Sequence, residues 1–212
     1  FSKSEIFIKE PNVALKVNLG FQADDTILLY SGNILYRWQC FPETVRLAEW
    51  IIRELPNVKL LVLTRVDDML HAERVLSSSG ISKNNYRIKN VDFRDMNDYL
   101  SISSFGFALR HSHRMNYCTP AAKIVEYAAA GVIPITTMAM GDYGFELRKI
   151  GITTVLDDVE FIGENNMNAL VLSVQNSNSS AIRSALSDWA GSYCYENTGP
   201  QYIEQLVCEK II

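Results

Sequence analysis

Six short runs rich in β-branched and aromatic residues alternate with stretches of helical periodicity: ILLYS (27–31), VKLLVLT (58–64), YRIKNV (86–91), FGFALR (105–110), VIPITT (132–137) and TTVL (153–156). Strands separated by whole helices cannot close tight hairpins, so the alternation commits the chain to crossover connections and a parallel sheet. Right-handed crossovers then place helices on both faces, which predicts an α/β fold, a doubly wound Rossmann-like parallel sheet of about six strands. The segment 42–55 suits a sheet-covering helix, with Pro42 in its first turn and Val45, Ala48, Ile52 and Leu55 on one face. Past residue 160 the pattern is helical, over 163–175, 179–194 and 199–209, with QNSNSS (175–180) as a connecting loop. The expected organisation is one domain, with 1–20 a linker or edge segment, 21–160 the Rossmann-like core and 161–212 the C-terminal helices.

Composition narrows what such a sheet serves. With 20 basic and 24 acidic residues the net charge is −4, so no global positive field attracts nucleic acid or an anionic membrane, and any anion site must be local. The four cysteines, Cys40, Cys118, Cys194 and Cys208, form no CxxC pair, which argues against a zinc site or a disulfide framework and reads as a reduced, cytoplasmic chain. No apolar run reaches the roughly 18 residues of a spanning helix, and the start FSKSEIFIKE has no leader pattern. It also lacks an initiating Met, as expected of a fragment of a longer protein.

Ligands of open α/β sheets bind beyond the carboxyl ends of the strands, here 32–37, 64–67, 91–95, 111–123 and 137–144. The most informative stretch is RHSHRMNYCTPAAKIVEYAAAGVIPI (110–135). Thr119 suits an N-cap, Pro120 a first helical position and Gly131 a left-handed stop, so a short helix is expected over 120–130. Its amino end would direct unpaired NH groups and a partial positive charge at the crevice, with Lys123 adding a full charge. Glu126, three residues on, sits in a nearly apolar run and needs donors nearby. Two readings are open: a plain helical ion pair between Lys123 and Glu126, or a two-point grip on a nucleotide, Lys123 toward phosphate and Glu126 toward a ribose diol.

The pattern PAAKIVEYAAAGVIPI resembles the donor-binding motif of the retaining GT-B glycosyltransferases of the group 1 type. YSGN (30–33) followed by Trp38 and Gln39 resembles the glycine turn after that domain's first strand, IKNVDFRDMNDYL the segment before the base-binding loop, and MGDYGFEL (140–147) the Gly-Asp turn after the fifth strand. The resemblance covers about residues 20–155 and implies the C-terminal, nucleotide-sugar-binding domain, without the N-terminal acceptor domain. It implies Glu126 on the donor ribose, Lys123 and loop amides on the diphosphate, Gly32 close to the phosphates, and Arg37 as a neutralising cation. It further implies a UDP-sugar in preference to a GDP-sugar, no cofactor, retention of configuration, and peripheral membrane association of a full-length polysaccharide-building enzyme. Many members carry a second glutamate eight positions before the ribose glutamate, where this chain has Cys118, a neutral thiol.

The remaining polar residues divide between site and scaffold. Arg110 heads a basic loop, with His111, His113 and Arg114, that suits a diphosphate; a plain polar loop is the alternative, and no metal is expected because no acidic or thiolate group is tied to the histidines by spacing. Asn33 and His113 are candidate donor contacts, and Asp142 is either a sugar contact or the N-cap of a helix over 143–149. Thr64 and Arg65 read as a solvated strand end, and Trp189, Tyr193 and Tyr202 as core. Two rival functions share the fold: a nucleotide-sugar epimerase, and a regulatory α/β domain, which would call for acidic residues where Ser31, Gly32 and Asn33 stand.

Overall fold

The computed structural model describes residues 10–118, 121–159, 163–176 and 180–193. Six strands, β1 (Thr26–Ser31), β2 (Val58–Leu63), β3 (Tyr86–Lys89), β4 (Phe105–Ala108), β5 (Ile133–Thr137) and β6 (Val155–Leu156), form one sheet of order β3-β2-β1-β4-β5-β6, parallel throughout. In β1 the residues Ile27, Leu28, Leu29 and Tyr30 are all buried, so both faces of the strand are covered. An unbroken apolar run, in place of two-residue alternation, is what such a central strand requires.

Helix α1 (Val13–Asn18) precedes the sheet, and Leu19 and Phe21 after it enter the core. The crossovers are α2 (Phe41–Glu54) between β1 and β2, α3 (Val66–Ser77) between β2 and β3, and α4 (Met96–Ser101) leading to β4. After β4 come α5 (Arg114–Cys118) and α6 (Ala122–Ala129), then β5, α7 (Asp142–Lys149) and β6. Right-handed connections running outward from the centre in opposite directions put α2 and α3 on one face and α6 and α7 on the other. The last two helices, α8 (Glu164–Asn176) and α9 (Ser180–Gly191), cover both: α8 lies on α2, and α9 on α6.

Helix α2 buries Phe41, Val45, Leu47, Ala48, Ile51 and Ile52, and each large side chain there contributes about 1.5–3 kcal/mol. Helix α6 reaches the sheet through Tyr127, whose ring fills the space over Gly106 of β4; a Cβ at Gly106 would fall 2.5 Å from that ring. Arg183 of α9 donates to the Gly131 carbonyl at 2.6 Å, and Gly131 (φ 73) supplies the left-handed residue that ends α6.

Several local boundaries differ from expectation. Helix α6 starts at Ala122, with Ala121, extended, at its N-cap and making no side-chain bond; Thr119 and Pro120, the expected cap and first position, lie outside the described residues. The N-cap of α7 is Gly141 (φ 60), and Asp142 is its first helical residue. The reason is steric, because a Cβ at 141 would sit 2.6 Å from the Tyr117 carbonyl oxygen. Residues 114–118, expected as loop, form α5, and His113 Nδ1 accepts from the Met115 amide at 3.2 Å as a Ser or Asp cap would. The expected loop over 175–180 is shorter, since Gln175 and Asn176 end α8 and Ser180 begins α9. The helix expected over 199–209 lies outside the described residues.

Candidate functional site

The strand order reverses between β1 and β4, and the crevice beyond their carboxyl ends is where such a sheet accommodates a ligand. Chain geometry there begins with Gly32, directly after β1, whose φ of 141 is rarely open to other residues. Absence of a side chain at Gly32 admits Lys123 from the second residue of α6: a Cβ would meet its Nζ at 2.9 Å. The Lys123 ammonium donates to the Ser31 carbonyl at 2.7 Å and to Gln39 Oε1 at 3.0 Å. Arg110, two residues past β4 and buried, donates to the same Gln39 oxygen at 3.2 Å and to the carbonyls of Trp38 at 3.0 Å and Leu109 at 3.1 Å. Two cations therefore share one neutral acceptor.

The electrostatics follow from that sharing. Burial, and secondly the Arg110 charge, push the Lys123 ammonium down to about 8, with Glu126 and Cys40 opposing. Burial also lowers Arg110, which remains charged because a guanidinium starts so high. Burial raises the Glu126 carboxyl, with Lys123 pulling it back. Among the described residues neither Lys123 nor Arg110 forms an ion pair, so the plain Lys123–Glu126 pair is not what the helix makes. A desolvated double positive charge without a carboxylate partner is costly and is relieved by an incoming anion.

Two clefts flank this cation pair. The larger, about 560 Å³, is lined by Arg37, Trp38, Arg110, His111, Ser112, His113, Met115 and Asn116. The smaller, about 240 Å³, lies over β1, β2 and β3 and is lined by Ser31, Gly32, Asn33, Leu63, Thr64, Arg65, Asn90, Val91 and Met96. Lys123 and Gln39 stand between them, because Lys123 bonds the carbonyl of Ser31 in one wall and Gln39 adjoins Trp38 in the other. The first volume lies in the range that holds drug- and nucleotide-sized ligands.

The sequence candidates thus separate. Arg37, Arg110 and His113 come together in the larger cleft, Gly32 and Asn33 in the smaller, and Lys123 between them. Asn33 Oδ1 accepts from the Leu35 amide at 2.8 Å, which shapes the loop after Gly32. Glu126 is half-buried, one turn further along α6, and lines neither cleft. Asp142 is exposed at the start of α7 and also lines neither, and Cys118 is exposed at the end of α5.

Sequence reasoning missed three features. Gln39 is neutral and 84 positions from Lys123, so nothing in the chain announces it as the shared acceptor. Thr64, read as a solvated strand end, is buried and donates to the Gly32 carbonyl at 2.8 Å, while Asn90 donates to the Thr64 carbonyl at 3.0 Å. His111, to which spacing along the chain ties no acidic or thiolate group, has Glu43 Oε1 3.5 Å from its Nε2, and Cys40 beside both. The signal was hidden because Cys40 and Glu43 belong to α2 and its cap, far from His111 along the chain. Trp189 and Tyr193 are scaffold, packing with Tyr143 and donating to Glu146 Oε2, from Trp189 at 2.7 Å; Tyr202 lies outside the described residues.

Solved structures share this architecture. Anabaena HepE in complex with UDP superposes with a TM-score of 0.74 at 14% identity, covering 98% of this chain and 56% of its own. WaaG, a glycosyltransferase involved in lipopolysaccharide biosynthesis, gives 0.64 at 15% identity, covering 90% of this chain and 49% of its own. The C-terminal domain of the group 1 family glycosyl transferase LpcC from Francisella tularensis gives 0.60 at 11% identity, covering 95% of this chain and 98% of that domain. The chain therefore has the fold of a GT-B C-terminal domain and spans about half the length of WaaG and HepE. No family model and no curated protein matches the sequence.

Proposed function

We propose that this chain is the donor-binding domain of a glycosyltransferase and that a nucleoside diphosphate sugar, UDP-linked in preference to GDP-linked, binds beyond the carboxyl ends of β1 and β4. The observation that carries the reading is the pair of half-buried Lys123 and buried Arg110, held on a single neutral oxygen beside Gly32. A diphosphate supplies the missing charge, and the exposed Arg37 adds a third cation at the cleft mouth. The amino end of α6 contributes its partial positive charge to the same anion. The Glu126 carboxyl, raised by burial and one turn beyond Lys123, accepts from the ribose hydroxyls of a nucleotide that reaches past the two clefts. His113, Asn33, Asp142 and, by position in the motif, Pro120 are secondary contacts to diphosphate or sugar.

In this reading the leaving diphosphate is stabilised by the cations and the helix end, and transfer proceeds with retention onto a glycan or lipid acceptor held by a second, N-terminal domain. Preference for UDP is supported by the UDP complex of HepE. No helix among the described residues is long and apolar enough to cross a membrane; any membrane association of the full enzyme is peripheral in this reading. The chain binds its nucleotide without a resident cofactor and turns over no sugar by itself.

Calorimetry with UDP and GDP tests this. UDP is expected to bind in the micromolar to millimolar range, and Glu126→Ala to weaken it by about 1–3 kcal/mol, the worth of hydrogen bonds to a charged group. Absence of binding by either nucleotide at millimolar concentration overturns the donor site, and an unchanged affinity in Glu126→Ala overturns the ribose assignment.

A further inference from the structure

We propose that Cys40, Glu43 and His111 form a binding site for a divalent metal ion of the zinc type, in the wall of the larger cleft and distinct from the cations that meet the nucleotide. One ligand atom from each, sulfur, carboxylate oxygen and imidazole nitrogen, lie within 4.8 Å of one another. His111 Nε2 and Glu43 Oε1 stand 3.5 Å apart. Donors held by a tetrahedral zinc at about 2.0–2.3 Å are separated by roughly 3.4–3.6 Å, so the nitrogen and oxygen already have the spacing and the set as a whole needs to close by no more than about 1 Å.

The scaffold presents the three donors on purpose-built backbone. Cys40 is the N-cap of α2 and Glu43 lies in its first turn, three residues on, so both face the same side. Cys40 has φ 51, the one left-handed non-glycine residue among those described. Glycine would relieve that strain, and a thiol stands there instead. His113, the other half of the HxH pair, caps α5 through Nδ1 and does not join the cluster.

The charges close. When the ion binds, the Cys40 Sγ–H bond breaks, a sulfur–metal bond forms and the proton passes to water, with no change of oxidation state. Thiolate and carboxylate cancel the dication, so Arg110 nearby, engaged with Trp38, Gln39 and Leu109, meets a neutral cluster. Three protein ligands leave a fourth position for water or another oxygen. The ion ties the start of α2, which follows Arg37 and Trp38, to the loop that carries Arg110 and His111, and these segments are the two walls of the larger cleft.

The test uses the whole chain, stripped with a chelator and titrated with Zn²⁺ against a chromophoric competitor, with Co²⁺ substitution to detect a thiolate-to-metal charge-transfer band. One equivalent is expected at sub-micromolar affinity. Cys40→Ser, Glu43→Gln and His111→Asn should each weaken it by about tenfold or more, and Cys40→Ser should abolish the cobalt band, whereas Cys118→Ser leaves both unchanged. Glu43 and His111 are only half-buried, so their variants keep the test decisive if Cys40→Ser fails to fold. Absence of stoichiometric zinc binding overturns the proposal, as does binding that survives all three substitutions. UDP affinity is measured separately on the metal-free chain, so that failure of the zinc site and failure of the nucleotide site are told apart.

Discussion

At Lys123 the ammonium, whose ordinary value is 10.5, is held down to about 8 by burial and by Arg110. The unfolded chain thus binds more protons than the native one between those two values, and stability must rise with pH across that window. Below about 8 the ammonium is charged in both states and the penalty is constant. In Lys123→Met this contribution is missing, so urea unfolding at pH 8 and pH 10 should show wild type gaining on the variant by on the order of 2 kcal/mol. Other buried groups, Cys40 raised to about 12 and Tyr30 and Tyr127 raised by burial, act in the opposite sense in wild type and variant alike, so the difference between the two proteins is what reports on Lys123. An equal response in the two proteins would mean that Lys123 is not desolvated. The sequence singles out Gly32, Lys123 and Glu126 by residue type and spacing. What was not legible is that Lys123 turns from Glu126 to Ser31 and Gln39, because that choice is made by the space a glycine leaves in the turn after β1.

Among the elements, strands and long helices were legible and their ends were not. β1, β2 and α2 match their hydrophobic runs to within a residue or so, since periodicity over many positions records burial. Caps are decided by single atoms: the Tyr117 carbonyl reserves position 141 for glycine, and a histidine nitrogen starts α5 where cap rules list hydroxyls and carboxylates. The joint between α6 and β4 carries a further expectation. Gly106→Ala forces a methyl against the Tyr127 ring, so chemical denaturation should register a loss of about 1–3 kcal/mol from overpacking. A change within experimental error would show that the ring shifts freely and that α6 is not locked to the strand.

For the whole molecule, α8 and α9 decide whether the sheet is covered. Met167, Leu170, Val171 and Val174 of α8 and Leu186 and Ala190 of α9 are buried, and Arg46 of α2 donates to the Val159 carbonyl just before them at 3.0 Å. Truncation after Val159 uncovers α2 on one face and α6 on the other, and is expected to abolish cooperative unfolding and expose dye-binding apolar surface; a truncated chain that still melts in one sharp transition would refute that role. The sequence by itself determined the class of fold, the number of strands and the helix that carries the motif, because these depend on patterns repeated along neighbouring positions. Only the tertiary structure decided which side chains share the crevice. The strand order brings Gly32, Gln39, Arg110 and Lys123 to one edge, and Cys40 and Glu43 to His111, across separations that no local pattern records.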